Sequence, residues 1–81
     1  MRVPVRLFAV ARELAEDEVV VVEVQAPCTV AELREALSAQ LPALSSVLGH
    51  VLFAVDSQYL GDEAVVPPDV EVACIPPVSG G

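Results

Sequence analysis

Apolar residues recur at every second position in some stretches of this chain and at every third or fourth in another, and the switch between the two rhythms lays out the elements. From Val3 to Phe8 the residues alternate, with Val3, Val5 and Leu7 on one face and Pro4, Arg6 and Phe8 on the other, which predicts a half-buried strand. Ala9 to Ala15 turns helix-friendly, with Arg12 and Glu13 exposed, and Glu16-Asp17-Glu18 marks a solvated turn. Val19 to Val24 is a second β-branched run whose Val20, Val22 and Val24 face the core, and it pairs with the first strand as an antiparallel hairpin.

Gln25-Ala26-Pro27-Cys28 breaks the pattern, and Thr29-Val30-Ala31-Glu32 has the spacing of a capping box, so a helix starts there. Val30, Leu33, Leu37 and Leu41 then recur three and four apart as one stripe that needs a sheet to cover it, and Pro42 ends the helix. Ala43 to Leu48 gives a short second helical turn. Val51 to Val55 reads as the third strand, Asp56-Ser57-Gln58 as a turn ahead of Tyr59-Leu60, and Gly61-Asp62 as another turn. Ala64 to Val66 reads as a short edge strand, Pro67-Pro68-Asp69 as a turn, and Val70 to Ile75 as the last strand, with Val70, Val72 and Cys74 on one face and Glu71, Ala73 and Ile75 on the other.

This order predicts an α+β fold in which a mixed sheet of about five strands is crossed by one main helix. A right-handed crossover through that helix puts the first and last long strands side by side and parallel at the centre, the arrangement of the ubiquitin-like β-grasp. Phe8 and Ile75 then stand on the open face. Strand order decides whether they form one patch able to dock a partner or are scattered surface hydrophobics.

Length and composition narrow the picture. Eighty-one residues make one small domain, with 54% hydrophobic but only 4% aromatic residues, so valine, leucine and alanine fill the core and no large enclosed substrate cavity fits. No apolar run approaches a membrane span, and Arg2 and Arg6 interrupt the start, so a soluble cytoplasmic protein is expected. The formal charge of −8, with four arginines and no lysine, disfavours nucleic acid and anionic membranes and favours a basic protein partner. Lysine-based Schiff-base chemistry is excluded. Cys28 and Cys74 read as free buried thiols, and with His50 as the single histidine neither a metal site nor a Cys/His catalytic pair is supported.

The remaining stretch is Ile75-Pro76-Pro77-Val78-Ser79-Gly80-Gly81. The prolines end the sheet near Ile75, dividing the chain into a domain at 1–75 and a tail at 76–81. Extended, those six tail residues reach roughly 20 Å, about the depth of a deep active site. Two glycines leave no side chain beside the terminal carboxylate, so the backbone can enter a channel too narrow for a Cβ. A diglycine alone also suits a frayed end or linker remnant.

Leu7-Phe8-Ala9 with Ala11-Arg12-Glu13-Leu14, Thr29-Val30-Ala31-Glu32-Leu33, Phe53-Ala54-Val55 and above all Pro76-Pro77-Val78-Ser79-Gly80-Gly81 resemble the small subunits of molybdopterin synthase, the MoaD-type sulfur carriers, over nearly the whole chain. The sequence departs from that family at Pro68-Asp69-Val70-Glu71, where Gly-Asp-Glu is common, and at Asp56, where asparagine is frequent. The resemblance implies that an E1-like enzyme uses ATP to adenylate Gly81, and that a persulfide donor's sulfur replaces AMP to give a thiocarboxylate. The tail from Pro76 and Pro77 through Val78, Ser79 and Gly80 then enters the MoaE-type large subunit, within a heterotetramer, and donates sulfur to the pterin precursor. Phe8, Tyr59 and Ile75 form the apolar partner surface with Arg12 at its rim, and the carrier holds no permanent cofactor. A thiamine carrier, a ubiquitin-like protein modifier and a plain β-grasp interaction module are the alternatives.

Overall fold

Alternation turns into structure at the first strand. The computed structural model describes residues 1–77. In it β1 (Arg2–Leu7) buries Val3, Val5 and Leu7 and leaves Arg2, Pro4 and Arg6 on the other side. Phe8 starts a helix instead of ending the strand: it is the N-cap of α1 (Ala9–Ala15), which Glu16 closes in the left-handed conformation. The chain returns as β2 (Val19–Glu23), antiparallel to β1 with Val3 opposite Val22 and Val5 opposite Val20. The two strands pair as expected, but a helix spans the connection, so they are not joined by a simple hairpin turn.

The main helix α2 (Val30–Gln40) begins at the expected cap. The Thr29 hydroxyl accepts from the Glu32 backbone N–H at 3.2 Å, while the Glu32 carboxylate accepts from the Thr29 N–H at 2.9 Å. These bonds hold the Glu32 carboxyl below its ordinary pKa. Val30, Leu33 and Leu37 are fully buried, and Leu41 packs at the margin of the core. Pro42 opens a 3-10 turn (Pro42–Leu44) that leads into the short α3 (Ser45–Leu48), burying Leu44 and Leu48.

Strands β3 (Leu52–Val55) and β4 (Gln58–Leu60) form a tight hairpin, with Val55 opposite Gln58. Its two loop residues, Asp56 and Ser57, both have left-handed φ, of 49° and 65°. Such a pair is a type I′ turn, whose twist matches the flanking strands. The last strand, β5 (Val72–Ile75), is parallel to β1 and antiparallel to β3, giving the order β2-β1-β5-β3-β4. The first and last strands are therefore the parallel neighbours that a crossover through α2 requires.

One further boundary and one element differ from expectation. Val70 and Glu71 precede β5 because Asp69 takes a left-handed φ of 59° and turns the chain there. Ala64–Val66 is not an edge strand. Its backbone instead closes the entrance of α2, with Val30 N–H donating to Ala64 O, Val66 N–H donating to Cys28 O and a single bridge from Thr29 to Val65. Pro67 and Pro68 lack the N–H groups needed to continue a ladder.

The core lies between the inner sheet face and α2, and Phe53 is the largest side chain wholly inside it. Arg34 clamps this layer from α2. One guanidinium nitrogen donates to the carbonyls of Leu48 and Val51, the other to Asp62 at 2.8 Å, and the group sits 5.0 Å from the Phe53 ring centre.

Candidate functional site

Among the described residues nothing covers the outer face of the sheet, and its relief follows from residue size. Ala54 on β3 lies directly opposite Ala73 on β5, which lies opposite Arg6 on β1. Two adjacent alanines leave a depression in the middle of the face. Phe8 and Ile75 rise at one end, and the turns carrying Asp56, Ser57 and Asp69 rise at the other, enclosing a groove of about 540 Å³. Arg6 and Glu71 pair along its flank, Nε to Oε1 at 2.8 Å, and this hydrogen bond, with the Glu71 charge, raises the arginine pKa.

Phe8 and Ile75 are brought together: both line the groove, and the Phe8 N–H donates to Cys74 O at 3.2 Å. Phe8 is 41% exposed, whereas Ile75 is half-buried rather than fully solvent-facing. Leu52, paired with Ile75 and 50% exposed, joins this apolar end although the sequence pattern did not single it out. Tyr59 is 65% exposed and lies opposite Ala54, so it extends the same face toward the β4 edge. Arg12 is on α1, outside the groove, 4.0 Å from Glu18.

Pro76 follows β5 and is buried, while Pro77 is exposed, so the chain leaves the sheet beside the Phe8–Ile75–Leu52 end. The tail positions Val78, Ser79, Gly80 and Gly81 lie outside the described residues. The groove's floor and acidic end were missed in sequence. The signal that could have found them is the register of the parallel central pair, which places Arg6, Ala73 and Ala54 in one row.

Side-chain nucleophiles are poorly placed for catalysis. Cys28 and Cys74 are free and buried. Burial raises both thiols, helped at Cys28 by the Glu32 charge, and Cys74 is pushed up to about 11. Neither is a thiolate near neutral pH, which is the form that attacks. His50 is exposed in the loop before β3. Among the described residues no group of three or more His, Cys, Asp or Glu side chains is arranged to hold a metal.

The Cys74 shift has a stability consequence. An unfolded cysteine loses its proton near pH 8.5, whereas folded Cys74 keeps it to about 11. In that window the unfolded chain binds fewer protons, so stability falls as pH rises. Urea midpoints measured between about pH 8 and pH 11 should decline more steeply for the parent protein than for Cys74→Ala, and parallel declines would contradict it.

Comparison with known proteins agrees with this geometry. Residues 5–81 match the sequence profile of the ThiS family. The chain is 33% identical over 81 residues to a molybdopterin synthase sulfur carrier subunit of Arabidopsis thaliana, covering all of this chain and 84% of that one. Its fold superimposes with a TM-score of 0.85 on the crystal structure of small archaeal modifier protein 1 of Haloferax volcanii, at 29% identity with both chains fully covered. It also matches, at a TM-score of 0.67 and 24% identity with both chains fully covered, a chain in the complex of subunits 1 and 2 of the molybdopterin-converting factor of Helicobacter pylori, a likeness of fold.

Proposed function

The chain belongs to the ThiS family, and from that premise we propose that it is the sulfur-carrier subunit of a molybdopterin synthase, with the Gly81 carboxylate as the sulfur-bearing group. The observation that carries this reading is the full-length likeness to a relative bearing that name. The groove and the sheet-anchored tail root support it, because they give a platform whose open face lies beside the point where the chain leaves the sheet.

The chemistry required of such a carrier is modest. A carboxylate with a pKa of about 3.5 is ionised near neutral pH and resists nucleophilic attack. An E1-like enzyme joins the Gly81 carboxylate to the AMP part of ATP, releasing pyrophosphate. A persulfide sulfur then attacks the carbonyl carbon and AMP leaves. A second thiol takes the donor's sulfur as a disulfide, leaving the thiocarboxylate on Gly81. In the large subunit that sulfur attacks the pterin precursor, and the proton-transfer groups belong to the partner.

Leu52, Phe8, Ile75 and Tyr59 supply the apolar contact at which both partners grip the carrier, and Arg12 contributes at its rim. Pro76 holds the tail root against the sheet, and Gly80 admits the backbone into a narrow channel. No described helix is long and apolar enough to cross a membrane, and the protein works in the cytoplasm.

A second reading is favoured by the likeness to small archaeal modifier protein 1: the same activated Gly81 is joined to a target protein. Deleting the gene separates the pathways. Loss of molybdoenzyme activity with growth independent of thiamine is the expected result. Thiamine auxotrophy with molybdoenzymes intact, or the loss only of slower-migrating protein conjugates, would contradict it.

A further inference from the structure

The groove has one apolar end that the proposed function uses and one acidic end that it leaves unexplained. The geometry points to a cationic side chain, an arginine or lysine of the protein that captures the carrier, lying with its aliphatic stem over Ala54 and Ala73 and its head toward the Asp56 and Asp69 carboxylates. This inference rests on the reading that the carrier docks through its open sheet face, and it names what the partner must present there.

Shape and charge both lead to this occupant. The alanine floor accepts a methylene chain, and the volume of about 540 Å³ has room for it beside other partner atoms. Glu71 is already engaged by Arg6 at 2.8 Å. Asp56 and Asp69 are exposed and have no ion pair or side-chain hydrogen bond among the described residues.

None of the chain's own cations pairs with these two carboxylates. Arg6 and Arg34 are hydrogen-bonded to Glu71 and Asp62, Arg2 and Arg12 lie 3.9 and 4.0 Å from Glu23 and Glu18, and there is no lysine. The N-terminal amine donates to Val24 O, and His50 lies at the opposite end of β3 from Asp56. A second copy of the chain is a poor occupant, because it brings the same paired arginines and another net charge of −8. A metal is a poor one too, since these carboxylates form no ligand cluster.

A fixed cation meeting these carboxylates speeds encounter and fixes the register of docking, and both effects weaken with salt. It also sets a requirement on the partner: one basic side chain within reach of the apolar contact that covers Phe8 and Leu52.

The test is the binding of the intact carrier to the purified large subunit of molybdopterin synthase from the same source, followed by surface plasmon resonance at low and high salt. The double variant Asp56→Asn, Asp69→Asn keeps residue types that tolerate the left-handed backbone, and circular dichroism confirms its fold. The expected result is about tenfold weaker binding at low salt with most of the salt dependence lost. Unchanged affinity and salt dependence, while Leu52→Asp abolishes binding, would overturn the cationic anchor and leave the docking face standing. A parent carrier that forms the thiocarboxylate yet binds no large subunit would instead overturn the functional reading beneath it. Sedimentation showing a carrier dimer that the double variant breaks would assign the groove to a second copy and also overturn the inference.

Discussion

Removing Gly80 and Gly81 should abolish thiocarboxylate formation and molybdopterin synthesis while leaving the fold intact. The loss should be complete rather than partial because the new terminal carboxylate, on Ser79, stands two residues short of Gly81 and has a side chain beside it. The two thiols are buried, with Cys74 pushed up to about 11, and the single histidine is exposed in the loop before β3. The shortened chain still presents the Phe8–Ile75–Leu52 face, so it should bind the large subunit and compete with the full-length carrier. Its thermal midpoint should stay within about 2–4 °C of the parent, a change of no more than about 0.5 kcal/mol for a domain of this size. Retained sulfur transfer in the truncated protein would remove the chemistry from the tail, and a collapsed thermal midpoint would make the tail structural.

Phe53→Ala has the largest expected effect on stability. Phe53 is fully buried on β3, opposite Cys74 on one side and Leu60 on the other, with the Arg34 guanidinium 5.0 Å from its ring centre. Truncation removes ring burial, leaves a cavity and takes the aromatic partner from a half-buried cation, at about 3–5 kcal/mol. For a domain of this size each kcal/mol lowers the thermal midpoint by roughly 4–8 °C. The variant should therefore melt at least about 12 °C below the parent, and Phe53→Leu should lose much less. A shift of only a few degrees would show that the layer beneath α2 collapses to fill the space. Total stability for such a chain is about 4–12 kcal/mol, so this one side chain decides whether the platform stays folded at high temperature.

How far the sequence could be read depended on whether a feature was local. Val3, Val5 and Leu7 announced their strand because alternation over a short stretch is set by the pleat itself. Thr29 and Glu32 announced the start of α2 because both halves of the cap lie within one turn of chain. The stripe of Val30, Leu33 and Leu37 needed only the period of the helix.

Ala64–Val66 misled because a short β-branched run has strand character in isolation, whereas its backbone partners, Cys28 and Val30, lie far earlier in the sequence. Val70 and Glu71 misled because their alternation continues that of β5 although the turn at Asp69 delays pairing until Val72. At the site, Phe8 and Ile75 could be placed together once β1 and β5 were set as parallel neighbours. Leu52 could not, since it becomes part of the patch only through the β3–β5 register. The alanine floor and the Arg6–Glu71 pair have the same origin. Ala54 and Ala73 are unremarkable until strand pairing places them side by side, and Arg6 and Glu71 are separated by 65 positions. Arg34 was invisible for a related reason, because its partners, Leu48 at the end of α3, Val51 just before β3 and Asp62 beyond β4, are brought to α2 only by tertiary packing.

The central claim is that one carboxyl group carries the sulfur and the folded domain delivers it. Intact-mass analysis of the full-length protein, after incubation with an E1-like activating enzyme of proven activity, ATP and a persulfide donor, tests this most directly, with fragmentation to locate the change. The expected result is exchange of one oxygen for one sulfur, confined to Gly81 and dependent on ATP. An unchanged mass, or sulfur found on Cys28 or Cys74 instead, would contradict it.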